Sequence, residues 1–147
     1  MSLPNGVKIK KGNVEYVSNF DKAQYTMKEL TRAALRDVGK LIVARTRQKA
    51  RKRTGVTKKG IQYWVRAKQE NPDLQVGYKP SAWKGLFYEL GAAGHNIPKE
   101  AWLYTTVQES IDDIRRIEGQ YLSAIEDENR ALGLISEDDY EGGEDNE

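Results

Sequence analysis

Apolar residues return every three or four positions through the first third of the chain. Met27, Leu30, Ala34, Val38, Leu41 and Ile42 fall on one side of a helical wheel, and Arg45 extends the row. The spacing predicts a long helix with one apolar stripe. Ser18, Asn19 and Asp21 offer capping side chains ahead of it. Thr54-Gly55 offers a stop, because glycine accepts a left-handed backbone and cations in a last turn oppose the negative end of the helix dipole. Before the helix, Val14 to Val17 have the character of a short edge strand.

The period then changes. "IQYWVRAK" (Ile61 to Lys68) and "LQVGYK" (Leu74 to Lys79) are rich in β-branched and aromatic residues, with turn chemistry at Asn71-Pro72-Asp73 between them. An antiparallel hairpin is expected there. "SAWKGLFYELG" sets Trp83, Leu86, Phe87 and Leu90 at helical spacing and halts at Gly91, so a short helix follows, and then the loop "GAAGHNIP". Beyond Pro98, the residues Leu103, Val107, Ile111, Ile114, Ile117, Tyr121, Leu122 and Ile125 mark a second amphipathic helix running to about Leu132-Gly133, weakened at Gly119. These elements predict an α+β fold: a long N-terminal helix, a small hairpin-based antiparallel sheet with helices packed on it, and a C-terminal helix. A chain of 147 residues holds one domain of this kind, expected over residues 1–133.

Composition adds limits. Apolar residues make up 38% and the mean hydropathy is -0.76, so part of the chain is expected to order only against neighbours. With no cysteine, a disulfide framework, a thiolate metal site and a cysteine nucleophile are excluded together, and a reducing cytoplasm fits. "MSLPNGVKIKKG" lacks the apolar core of an export signal, and no apolar run approaches the roughly 18 to 20 residues of a membrane span. A soluble protein without membrane contact is expected.

The net charge of +2 conceals a strong asymmetry. Seven acids and no base lie between Leu134 and Glu147, which leaves 24 bases against 15 acids in residues 1–133. The end "SEDDYEGGEDNE" carries too little apolar surface to offset its ordering entropy, so residues 134–147 are expected to form a disordered acidic tail.

Candidate chemistry is sparse. His95 is the one histidine, which removes a two-histidine metal site, and no serine sits in a nucleophile-elbow pattern. The glycines of "LGAAGHN" do not follow a strand and open a helix as a phosphate cradle requires. No catalytic residue, cofactor or metal ligand is expected. Glu89 stands among Phe87, Tyr88 and Leu90, where a carboxylate must face water or find a cation such as Lys84 or an arginine. Glu109, Asp112 and Asp113 are expected on a solvated helix face.

One stretch is chemically distinctive: "RQKARKRTGVTKKG" contains Arg47, Lys49, Arg51, Lys52, Arg53, Lys58 and Lys59 and no acid. Arg45, Lys49, Lys52 and Arg53 recur at spacings of three and four and would line one helical face. Such a row can neutralise phosphates by counterion release, without sequence preference. It can equally serve as helix-end cations or pair with an acidic neighbouring subunit. Composition leaves all three open.

Taken in order, the landmarks resemble a family of tailed-phage and prophage proteins, the head-tail joining or tail completion proteins, also described as gene-ten-product-like minor tail components. Arg53-Thr54-Gly55-Val56 with Lys58, Lys59 and Ile61 resembles the family's Thr-Gly element. Val76-Gly77 is similar to its strand, "FYELG" (Phe87, Glu89, Gly91) to its aromatic-x-Glu-x-Gly signature, and "NIPKEAWLYTTVQES" to the segment before its last helix. The chain departs from the pattern at Arg51, Gly60 and Trp102. The resemblance spans about residues 20–130. It implies a virion structural protein without enzyme activity or cofactor, made in the host cytoplasm. It further implies a hexameric ring of identical copies that completes the tail, meets the head connector and tail tube, and lies beside a DNA path. A ring subunit also suits aromatics that look exposed, namely Trp64, Tyr78, Trp83 and Trp102. The basic residues would then face a partner or a DNA channel, and a small basic DNA-binding or regulatory protein of a mobile element is the alternative.

Overall fold

A computed structural model of the chain describes residues 7–11, 13–18, 20–51, 55–66, 71–125, 127, 130 and 134–135. The chain divides into two compact units, residues 1–33 with 120–147, and residues 34–119. The elements among the described residues give an α+β fold, as the patterning predicts.

The first unit holds an antiparallel hairpin, β1 (Val7–Lys11) and β2 (Val14–Ser18), with Val7 opposite Ser18 and Lys11 opposite Val14. Only β2 is anticipated from the sequence; "VKIKK" alternates apolar and basic residues but is too short to declare a strand alone. The same unit contains the start of α1 (Phe20–Lys49), where Leu30 and Ala33 are buried, and the end of α5 (Ile111–Ser123), where Tyr121 is buried, as is Ala124 beyond it. Leu134 and Ile135, at the start of the expected acidic tail, have helical backbone; residues 136–147 lie outside the described residues.

The second unit carries the candidate site. Along α1, the stripe residues Ala34, Val38 and Ile42 are buried as expected, joined by Val43 and Thr46. Thr46 donates its hydroxyl to the Ile42 carbonyl at 2.8 Å, so the buried polar group is satisfied. Met27, by contrast, is exposed. β3 (Ile61–Arg66) and β4 (Asp73–Tyr78) form the expected hairpin, in register from Ile61 opposite Tyr78 to Arg66 opposite Asp73. Helix and hairpin meet at Gly39, where a Cβ would lie 2.6 Å from the Tyr63 ring. Only a residue without a side chain lets the helix axis come this close.

The core gathers Val43 and Ala50 from the end of α1, Ile61 from β3 and Trp102 from α4 (Trp102–Glu109), with Tyr63, Val76, Tyr78 and Tyr88 against them. Ile61 is wholly buried and Trp102 is 4% exposed. Each such side chain contributes about 1.5–3 kcal/mol by leaving water. Trp102 and Tyr78 are therefore not the exposed aromatics that the sequence suggested; Trp64 and Trp83 are exposed.

Two helix ends differ from expectation. α1 closes at Lys49, where the Ala50 N–H still reaches the Thr46 carbonyl at 2.9 Å, and not at Thr54-Gly55. Burial of Ala50 in the core turns the chain there. Gly55 is left-handed, with φ 79°, but precedes the single turn of α2 (Val56–Lys59). The last helical segment is two helices, α4 and α5, that break at Ser110 and end at Ser123. Gly119 does not interrupt: it sits inside α5 with open space around it. Ser110 is fully buried, and its N–H bonds back to the Val107 carbonyl at 3.1 Å, which tightens the turn. The short helix of the middle segment, α3 (Gly85–Leu90), forms as expected after a 3₁₀ turn at Pro80–Ala82.

Candidate functional site

The cations at the end of α1 find partners within the same unit. Arg45 donates from Nη1 to the Ser110 hydroxyl at 2.9 Å and from Nη2 to the Asp113 carboxylate at 2.5 Å. Its position explains the break between α4 and α5, since one guanidinium binds both the turn residue and the first turn of α5. The hydrogen bond from Arg45 is the main cause holding Asp113 below the usual carboxylate range; desolvation opposes it, and the charges of Arg45 and Arg116 add to it. One turn on, Lys49 forms an ion pair with Glu109. Arg51, past the helix end, forms one with Glu100. Arg47 takes a different partner, donating Nε and Nη2 to the Ile61 carbonyl at 3.2 and 2.8 Å and so joining the helix end to β3.

Asp113 is half-buried against Arg45, whereas Asp112 and Glu109 are exposed as expected, Glu109 with Lys49 as its partner. Pairings across roughly sixty residues of chain carry no local signal, which is why spacing could not find them. The expected row falls partly on Lys52 and Arg53, which with Thr54 lie outside the described residues; α1 ends at Lys49. Lys58 and Lys59 sit on α2, and neither forms an ion pair with a described residue.

The "FYELG" segment forms the second cluster. Glu89 finds neither water alone nor a cation. Its carboxylate accepts the N–H groups of Leu103 at 3.2 Å and Tyr104 at 2.9 Å, and the Tyr78 hydroxyl at 3.3 Å. These N–H groups belong to the first turn of α4, whose own N-cap is Ala101, a residue with no side-chain acceptor and with left-handed backbone (φ 46°). Glu89 thus supplies, from another helix, the cap that α4 lacks, and its negative charge meets the positive end of the helix dipole. Burial, followed by the charge and hydrogen bond of Glu89, raises the Tyr78 hydroxyl well above its ordinary pKa.

The adjoining backbone completes the clasp. The Tyr88 carbonyl accepts the N–H groups of Glu100 at 2.7 Å and Ala101 at 3.0 Å. The Tyr88 ring stacks on Trp102 at 4.8 Å, and the Trp102 indole donates to Glu100 at 2.7 Å. Gly91 ends α3 with φ 79°, and a Cβ there would meet Lys99 at 3.2 Å. Only glycine takes this turn and leaves room for the returning chain. Phe87 meets Trp83 edge-on at 5.3 Å and lies 6.4 Å from the exposed His95 ring.

Among the described residues, no three His, Asp or Glu side chains gather as a metal-ion set, and no helix is long and apolar enough to cross a membrane. No protein-family model, curated protein or solved structure matches the chain.

Proposed function

We propose that the chain is a structural subunit of a tailed-phage or prophage virion, a ring-forming component that acts at the head-tail junction in tail completion. The ordered landmarks from the Thr-Gly element to "NIPKEAWLYTTVQES" motivate the reading. The observation that carries it is the engagement of Arg45, Arg47, Lys49 and Arg51 by partners within the chain. Cations already bound to carboxylates and a carbonyl hold a fold rigid and are poorly placed to neutralise phosphates. Trp83, Leu86 and Leu90 form an exposed apolar surface beside Lys84, suited to a protein joint.

The direct test is assembly. The purified chain is mixed with the connector and tail-tube proteins encoded beside it, and complexes are sought by light scattering and electron microscopy. Rings, or stable binding to a connector ring, are the expected outcome. A chain that remains monomeric at high concentration and binds neither protein overturns the reading.

A second reading, a small basic DNA-binding protein of a mobile element, draws on Lys58 and Lys59, which have no ion-pair partner among the described residues. It requires duplex binding that falls steeply with salt. No gel shift at low salt disposes of it.

A further inference from the structure

The outer side of α3 and the turn before it carries Trp83, Leu86 and Leu90, which are 52%, 50% and 75% exposed. Their spacing of three and four places them along one side of the segment. Scattered exposed apolar residues are ordinary, whereas three aligned on one short element form a patch suited to a partner. The indole is held in place by its edge-on contact with Phe87.

Lysines flank this segment. Lys79 opens the 3₁₀ turn ahead of Trp83, Lys84 places Nζ 5.9 Å from the Trp83 ring, and Lys99 runs beside Gly91 at the far end of α3. None of the three forms an ion pair with a described residue. Glu89, the one acid in the sequence between Lys79 and Lys99, is engaged in capping α4. The patch is thus apolar at its centre and uncompensated in charge at its edge.

That chemistry selects its occupant. Two copies of the face cannot cover one another, because their lysines would be opposed. An acidic segment with an apolar anchor fits, and the chain contains one: "SEDDYEGGEDNE", residues 136–147, with seven acids, no base, and Tyr140 between Asp139 and Glu141. We infer that this segment of one copy docks on the α3 face of a neighbouring copy. Tyr140 covers the apolar patch formed by Trp83, Leu86 and Leu90, while the flanking acids meet Lys79, Lys84 and Lys99. Twelve residues reach at most about 40 Å when extended. The inference rests on the self-assembly in the proposed function and names a contact that makes it.

Sedimentation velocity of the full chain over a wide concentration range tests the contact. Self-association is expected, weakened about tenfold or more by Lys84→Glu with Lys99→Glu, and similarly by Asp138→Lys with Asp139→Lys and Glu141→Lys. Combining both sets in one chain restores complementary charge and should recover most of the association. Tyr140→Ala and Leu90→Ser, which leave charge unchanged, should also weaken it. Circular dichroism shows that each variant is folded. A wild-type chain that stays monomeric, association indifferent to both charge reversals, or no recovery on combining them overturns the inference. So does a tail that binds its own chain, seen as a tail-dependent change in tryptophan fluorescence that does not vary with concentration. Binding to the connector, measured in parallel with the tail-reversed variant, separates the two proposals: if it persists while the tail contact fails, the adaptor reading stands alone.

Discussion

The surroundings of Trp102 and Trp83 invite comparison, because each pairs a tryptophan with basic residues and the outcomes are opposite. Trp102 is 4% exposed, stacked on Tyr88, and bonded to Glu100, which also takes Arg51. Trp83 is 52% exposed, and Lys84 beside it pairs with no carboxylate among the described residues. In the first region the fold itself supplies acids to the cations; in the second it supplies none. Basic composition is therefore not a functional signal until the location of the opposing acids is known.

Removing the two rings should separate the regions most sharply. Trp102→Ala takes a buried ring from the core and leaves Glu100 without its indole donor, and a loss of about 3–5 kcal/mol is expected in urea or thermal unfolding. Trp83→Ala should change stability by no more than about 1 kcal/mol, since half of its surface already faces water. Equal losses from the two substitutions would erase the distinction.

Glu89 joins the regions, standing on α3 and capping α4. Glu89→Ala should cost about 1–2 kcal/mol, the range for losing a helix cap. Glu89→Gln keeps an acceptor oxygen but not the charge, and should recover part of that loss. Should Glu89→Lys prove as stable as the wild type, the cap would have no energetic meaning.

How much of this was legible beforehand follows from the range of each signal. The α1 stripe and the hairpin from Ile61 to Tyr78 were readable because periodicity and turn residues are local. The stop of α1 at Lys49 was not, because burial of Ala50 against Ile61 and Trp102 overrides the cheaper stop at Gly55. Nor was the break at Ser110, which depends on a guanidinium from residue 45. In "FYELG", the need of Glu89 for a partner was readable, but the partner was not. Sequence pointed to cations, whereas the donors are backbone N–H groups of a helix that begins with an alanine in place of a capping residue.

Titration sharpens the contrast further, with smaller effects. The folded-state pKa of Asp113 lies below its unfolded value, so its contribution to stability is present above the ordinary carboxylate pKa of about 4 and disappears as pH falls through the lower folded value. Asp113→Asn should therefore flatten the acid limb of the stability profile. Tyr78 has the reverse sense. Its folded pKa is raised, so its contribution holds below about pH 10 and is lost as the unfolded phenol ionises above it. Tyr78→Phe should remove that alkaline dependence in thermal melts between neutral pH and about pH 11.

The smallest effect tests the comparison at its outer edge. Lys58 and Lys59 sit on a one-turn helix, with no ion pair among the described residues, so Lys58→Gln with Lys59→Gln should alter stability by less than about 0.5 kcal/mol. Arg45→Gln, at the engaged end of the same basic run, removes the bonds to Ser110 and Asp113, leaves Asp113 only Arg116, and should cost measurably more. If duplex DNA at low salt binds the wild type but not the lysine pair variant, the unpartnered cations grip phosphate and the second reading gains. If neither binds, or both bind equally, those two lysines are solvated ends. The division between engaged and free cations would then matter for protein contacts at α3 alone.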